Sequence, residues 1–211
     1  MGIGMGTKMT MTAQAEEAVR NADCLIGAER MLDAVRGLKA AEGKPVFAEY
    51  RRNQILSYIR SHPEYEDVAV LLSGDTGFHS GAKGLAELLG KETPGCEVRM
   101  VPGIASAVYL AARLKTSWED AALVSLHGKE EDFIQTVSRN RKTFLLLGGK
   151  DAGRRALERL REYGMDEILL HVGARLSYPD ERVISGAVQE RQYVAGFVSF
   201  VEYFACSGTR L

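Results

Sequence analysis

Val68-Ala69-Val70-Leu71-Leu72, followed by Ser73-Gly74-Asp75-Thr76-Gly77-Phe78-His79-Ser80-Gly81, decides the fold. An apolar run without polar alternation predicts a short strand covered on both faces, the signature of a parallel sheet. The loop that ends it carries three glycines in nine residues. In open α/β sheets, ligands bind beyond the carboxyl ends of the strands. Outward from this stretch the same alternation continues. Upstream, Ala15, Ala18, Val19 and Ala22 keep helical spacing, 24–26 reads as a buried strand, and Ala28, Met31, Leu32 and Val35 give a second helical face. Val46-Phe47 is a short strand, and Ile55, Leu56 and Ile59 mark a helix stopped by His62-Pro63. Downstream, Leu85, Leu88 and Leu89 mark a helix, 98–101 reads as a strand closed by Pro102-Gly103, and 105–114 is a helix of small residues.

Residues 116–120 read as a connector. Beyond it come a strand at 122–126, a helix at 133–137, a strand at 143–147, a helix at 152–163 and a strand at 167–172. The segments 182–187 and 197–204 are strand-like with no helix between them, which predicts antiparallel strands closing a second sheet. The expected class is α/β, with two domains at 1–116 and 117–211. The first sheet is expected to be largely parallel and the second mixed.

Charge and cysteine content narrow the function. Lys and Arg number 27 against 28 Asp and Glu, a net charge of −1, so no basic excess predicts a nucleic-acid partner. Cys24, Cys96 and Cys206 form no metal-ligand or disulfide pattern. A reduced, cytoplasmic chain with no metal site is expected. The apolar stretch at 196–205 is too short to span a bilayer, and no leader is expected at the start.

Four segments have the composition of a site. Gly2-Ile3-Gly4-Met5-Gly6-Thr7 lets backbone approach a ligand, or is a flexible leader. In the second, Asp75 either serves a ligand loop or caps the following helix. Val101-Pro102-Gly103-Ile104-Ala105-Ser106-Ala107 runs from a strand end into small side chains, suited to a ligand or to close packing. Ser125-Leu126-His127-Gly128-Lys129 places a histidine and a lysine where an anion could be met or a proton moved.

In order and spacing these segments resemble the tetrapyrrole methylase family over nearly the whole chain. SGDTGFHSGAKGLAELL, SLHGK and GARLSYPDERVISG resemble its branch that methylates carbon 5 of a cobalt-precorrin. Diphthine synthases and ribosomal-RNA ribose methylases share the fold but are less similar. The resemblance implies two α/β domains with a cleft, a homodimer, a corrinoid substrate, and S-adenosylmethionine as methyl donor. It places Gly4, Met5, Gly6, Ser73, Gly74, Asp75, Phe78, Ala105, Ser106, Leu147, Gly148 and Gly173 toward the cofactor. A precorrin bears many carboxylates, and Arg51, Arg52, Lys83, His127 and Lys129 are the basic groups expected to meet them. His127 and Asp75 are the first choices for handling a proton. The other readings are an RNA or protein methylase of the same fold, or a cofactor-binding module without activity.

The chain departs from the family in several places. Many members have proline where Met5 stands, and GDP where this chain has Gly74-Asp75-Thr76. The family has a full strand before its first glycine loop, so the central sheet is expected to lack one here unless the start lies further upstream. Residues 202–211 do not resemble the family's last strand. Many relatives are fused to a domain that methylates carbon 15 with decarboxylation, a step then expected of a separate protein.

Overall fold

A computed structural model describes residues 1–126, 132–148, 151–190 and 199–204. The chain divides into two compact units, Met1–Ala105 and Ser106–Leu211. In the first unit, α1 (Ala13–Asn21) is capped by the Thr12 hydroxyl, which accepts from the Ala15 N–H. It leads into β1 (Cys24–Gly27), then α2 (Glu29–Arg36), β2 (Val46–Ala48), α3 (Arg52–Ser61), β3 (Val68–Leu71) and α4 (Ala82–Glu92). The strands are parallel in the order β2-β1-β3. Alternation of side chains along each strand builds two cores. Leu25, Ala69 and Leu71 join residues of α1 and α2, while Cys24, Ile26, Val68 and Val70 pack with Ile55, Leu56, Leu85 and Leu89 of α3 and α4. The strand pattern at 68–72 therefore means what it predicted: a sheet with helices on both faces.

The expected gap beside β3 is occupied by the first residues of the chain. The Met1 nitrogen donates to Val70 O (2.8 Å), the Leu72 N–H to Met1 O (2.9 Å) and the Ile3 N–H to Leu72 O (3.0 Å). On the other side, the Gly2 N–H donates to Val101 O (2.9 Å). Ile3 is fully buried in the α1–α2 core. The expected strand at 98–101 is not formed. Val98 and Met100 are 37% and 44% exposed, and only Val101 turns into the core. An apolar run with one buried residue gains too little to pair along its length.

In the second unit, α5 (Ser106–Arg113) is followed by β4 (Ala122–Ser125), α6 (Phe133–Arg139), β5 (Lys142–Leu146), α7 (Ala152–Glu162), β6 (Leu169–Ala174), β7 (Arg182–Ala187) and β8 (Ser199–Phe204). The sheet order is β4-β5-β8-β6-β7. β4 and β5 are parallel, whereas β8 is antiparallel to both β5 and β6, and β7 to β6. The mixed sheet expected from the helix-free tail is present, and 202–204, read as a departure from the family's last strand, belong to β8. The chain divides before α5 rather than at 116. Leu110 of α5 packs over Gly173 of β6, and Tyr109 and Arg113 bond to Glu181.

Candidate functional site

Because β1, β2 and β3 are parallel, their carboxyl ends share one edge of the first sheet. Residues 1–3 run parallel to β3 and deliver the 4–6 loop to the same edge. There Gly4 and Gly74 exchange both backbone hydrogen bonds, Gly4 N–H to Gly74 O at 3.2 Å and Gly74 N–H to Gly4 O at 2.8 Å. Met5 is buried, and its N–H donates to the Thr10 hydroxyl (3.0 Å), which in turn donates to Thr7 O (3.1 Å). The glycine-rich start is a docked loop, not a loose leader.

The Pro102-Gly103 turn completes the arrangement. A Cβ on Gly103 would overlap Gly74 O and crowd Gly2, so this glycine is required by backbone meeting backbone. Asp75 joins the loops: Oδ1 accepts from the Gly77 N–H (2.8 Å) and Oδ2 from the Gly103 N–H (2.9 Å). Both carboxylate oxygens are thus committed to amides, neither to capping α4. Gly74 itself has φ +69, and a Cβ there would meet only Ile104 O at 3.8 Å and Ala105 Cα at 3.9 Å among the described residues. Arg30 of α2 donates to the Ser73 hydroxyl (3.1 Å), and the Phe78 ring meets His79 edge-on. Ala105 and Ser106 are buried small side chains. Gly74 thus leaves room on the side of the loop that faces the buried Ala105.

At the same edge, β2 ends in a pair that sequence reading half found. Glu49, 7% exposed, accepts from the Tyr50 and Arg51 N–H groups (both 2.8 Å) and from the Arg51 guanidinium at 2.6 to 3.1 Å. The Arg51 guanidinium and these amides hold the Glu49 carboxyl down to about 2. Arg51, 67% exposed at its side chain, is therefore a cation fixed at its root. Arg52 opens α3, next to Gly84 of α4, and Lys83 pairs loosely with Glu87 at 3.9 Å.

In the second unit, Leu147 follows β5 and belongs to the core with Leu145, Ala156 and Leu160, while Gly148 beside it is half-buried. Gly173 is buried near the end of β6. His127 and Lys129 lie outside the described residues. Among the described residues, no cluster of His, Cys, Asp or Glu could hold a metal, and no helix is long and apolar enough to cross a membrane. Glu49, Thr10, Tyr109 and Glu181 escaped sequence reading because each works through partners that no local pattern announces.

Parallel strands whose terminal turns interlock through glycine backbone define an α/β protein with its glycine loops gathered at one sheet edge. The chain belongs to the tetrapyrrole (corrin/porphyrin) methylases, whose family profile matches residues 1–191. Membership sets the class, methylation with S-adenosylmethionine as donor. The chain is 29% identical to the cobalt-precorrin-7 C(5)-methyltransferase of Salmonella typhimurium over 186 residues, 87% of each chain. It is 31% identical over 135 residues to a probable cobalt-precorrin-7 C(5)-methyltransferase of Methanocaldococcus jannaschii, covering 63% of this chain and 61% of that protein. The fold matches the crystal structure of the methyltransferase CobJ with a TM-score of 0.77 at 20% identity, over all of this chain and 94% of that one. It also matches the precorrin-6Y methylase of Archaeoglobus fulgidus with a TM-score of 0.69 at 19% identity, over 97% and 96%.

Proposed function

We propose that the protein methylates carbon 5 of a cobalt-precorrin. The observation that carries this reading is the similarity to the Salmonella C(5)-methyltransferase, which extends over the same large share of both chains. The similarity to a probable cobalt-factor III C(17)-methyltransferase of that organism, 30% identical, covers 54% of this chain and 48% of the relative. S-adenosylmethionine supplies an electrophilic methyl group when bound. The chain's own work is alignment and exclusion of water. Residues 4–6 with Ser73, Gly74, Phe78, Ala105 and Ser106 hold the donor, joined by Leu147, Gly148 and Gly173. Asp75 keeps the loops together by accepting from the Gly77 and Gly103 amides. Arg51, Arg52, Lys83, His127 and Lys129 are the groups for the substrate carboxylates, and His127 and Asp75 are the first choices for handling a proton. The protein acts as a cytoplasmic homodimer.

A relative from Sinorhizobium sp, named precorrin-6Y C(5,15)-methyltransferase [decarboxylating], is covered over 43% of its length. The carbon-15 step is accordingly assigned to a polypeptide outside residues 1–211. The test is calorimetry with S-adenosylhomocysteine, followed by turnover of cobalt-precorrin-7 read as a gain of one methyl mass. Binding without turnover of this substrate, but with turnover of a cobalt-factor III, would move the reading to another ring carbon. Arg51→Ala is expected to raise KM for the precorrin about fivefold, an effect that shrinks as salt rises.

A further inference from the structure

The segment that follows β6 is knitted in a way the proposed roles do not use. Arg175 and Ser177 both sit in the left-handed region, at φ +50 and +73. Non-glycine residues hold that conformation only where the surroundings over-determine it, and such residues gather at ligand clamps. At Ser177 one carboxylate holds the backbone. Glu181, with 14% of its side chain exposed, accepts from the Ser177 N–H (2.6 Å) and the Tyr109 hydroxyl (2.7 Å) through Oε2, and from Arg113 Nε (2.7 Å) through Oε1. Burial pushes its carboxyl up, but the Ser177 amide, the Tyr109 hydroxyl and the Arg113 guanidinium outweigh it, and the pKa lies below the usual glutamate range. The turn is closed from outside by Arg175, which pairs with Asp180 and lies over the Tyr178 ring at 4.6 Å.

Glu181 thus ties α5 to the turn after β6. These two elements carry Ser106 and Gly173, both assigned above to the cofactor. Leu110 of α5 and Leu176 of the turn close over Gly173, where an added Cβ would lie 3.1 and 3.0 Å from their methyl groups. A shift of the turn therefore moves the backbone at Gly173 and the side chains over it. We infer that Glu181 is a positioning residue for the methyl donor: through Ser177, Tyr109 and Arg113 it fixes the turn after β6 against α5, in the geometry that binds S-adenosylmethionine. This rests on the methylase reading above.

Glu181→Gln keeps the size of the side chain, removes its charge and puts an NH2 in place of one oxygen, so that it faces either Arg113 or the Ser177 amide and Tyr109 hydroxyl. Bonds to a charged group contribute more than neutral ones, so the expected loss of S-adenosylhomocysteine affinity is about tenfold, with a melting temperature within about 3 °C of the unaltered chain. KM for S-adenosylmethionine should rise in step, while kcat at saturating donor and KM for the precorrin stay near their original values. Hydrogen exchange without ligand should show faster exchange at the Ser177 amide. Should the glutamine variant fail to fold, Tyr109→Phe removes a single bond and is expected to cost about threefold in the same affinity. A folded variant that binds S-adenosylhomocysteine as tightly as the unaltered chain overturns the inference and leaves the methylase reading standing. An unaltered chain that binds none overturns both.

Discussion

At the scale of single residues, the glycines separate into two physical kinds, and their replacement should separate them too. An alanine at Gly103 drives Cβ into Gly74 O, a backbone atom that cannot rotate away. An alanine at Gly74 meets only ordinary contacts but must hold φ +69, which costs roughly 1–2 kcal/mol. Urea denaturation should find Gly103→Ala the more destabilised, while calorimetry should find Gly74→Val the weaker binder of S-adenosylhomocysteine for its stability. Equal stability losses would mean that the Pro102-Gly103 turn simply moves aside. Glu49 gives a pH test. Its folded carboxyl is held down to about 2, chiefly by Arg51. Its stabilisation is complete above the ordinary glutamate value of about 4.3 and is lost as pH falls through 2. The stability gap between the unaltered chain and Glu49→Gln should therefore narrow steadily below about pH 4; a gap that is constant from neutral pH downward would show that the charge of Glu49 contributes nothing. The glycines and Asp75 were legible in the sequence because turns at strand ends need them. Glu49 was not, since a glutamate two residues before an arginine has no pattern of its own. Glu181 lies within the family-like segment 173–186, but its partners Tyr109 and Arg113 lie 72 and 68 residues away.

At the scale of elements, the sequence was most legible where apolar periodicity and burial coincide. The helix faces of α1, α2, α3, α4, α6 and α7 and the apolar strands at 24–26, 68–72 and 143–147 formed as expected, and each of them reaches a core. The segment 98–101 failed because its apolar side chains alternate outward, a fact that depends on partners and not on composition. Residues 1–3 were misjudged for the converse reason: three residues flanked by glycine show no period, yet they pair with Val70 and Leu72 on one side and Val101 on the other. Ile3 is the test of that short element. Fully buried against residues of α1 and α2, it should cost about 3 kcal/mol as Ile3→Ala. The same variant should weaken S-adenosylhomocysteine binding, because the 4–6 loop hangs from it. A variant that loses less than about 1 kcal/mol would mean that residues 1–3 contribute little to the first core.

At the scale of the whole molecule, a net charge of −1 and a sequence pI near 6.5 leave no general attraction for polyanions. Arg51 is instead a local cation, rooted at a strand end by Glu49. Transfer RNA at physiological salt should therefore produce no mobility shift, while a polycarboxylate macrocycle binds. A micromolar, salt-sensitive RNA complex would restore the RNA-methylase reading. The two-unit plan was legible from the switch between strand–helix alternation and a tail of successive strands. The place of division was not, since the partners of α5 lie far along the chain. That division has a consequence during synthesis. Among the described residues β8 is the latest strand in chain order, yet it stands between β5 and β6 in its sheet. On the ribosome the first unit has all three of its strands before residue 72, whereas the second holds two separate ribbons, β4 with β5 and β6 with β7, facing each other across an unfilled seam. Only when residues 199–204 clear the exit tunnel can one strand zip both ribbons together. A nascent chain stalled before that point presents two bare strand edges to its neighbours on the polysome, so pausing late in translation is where this protein is most exposed to misassembly.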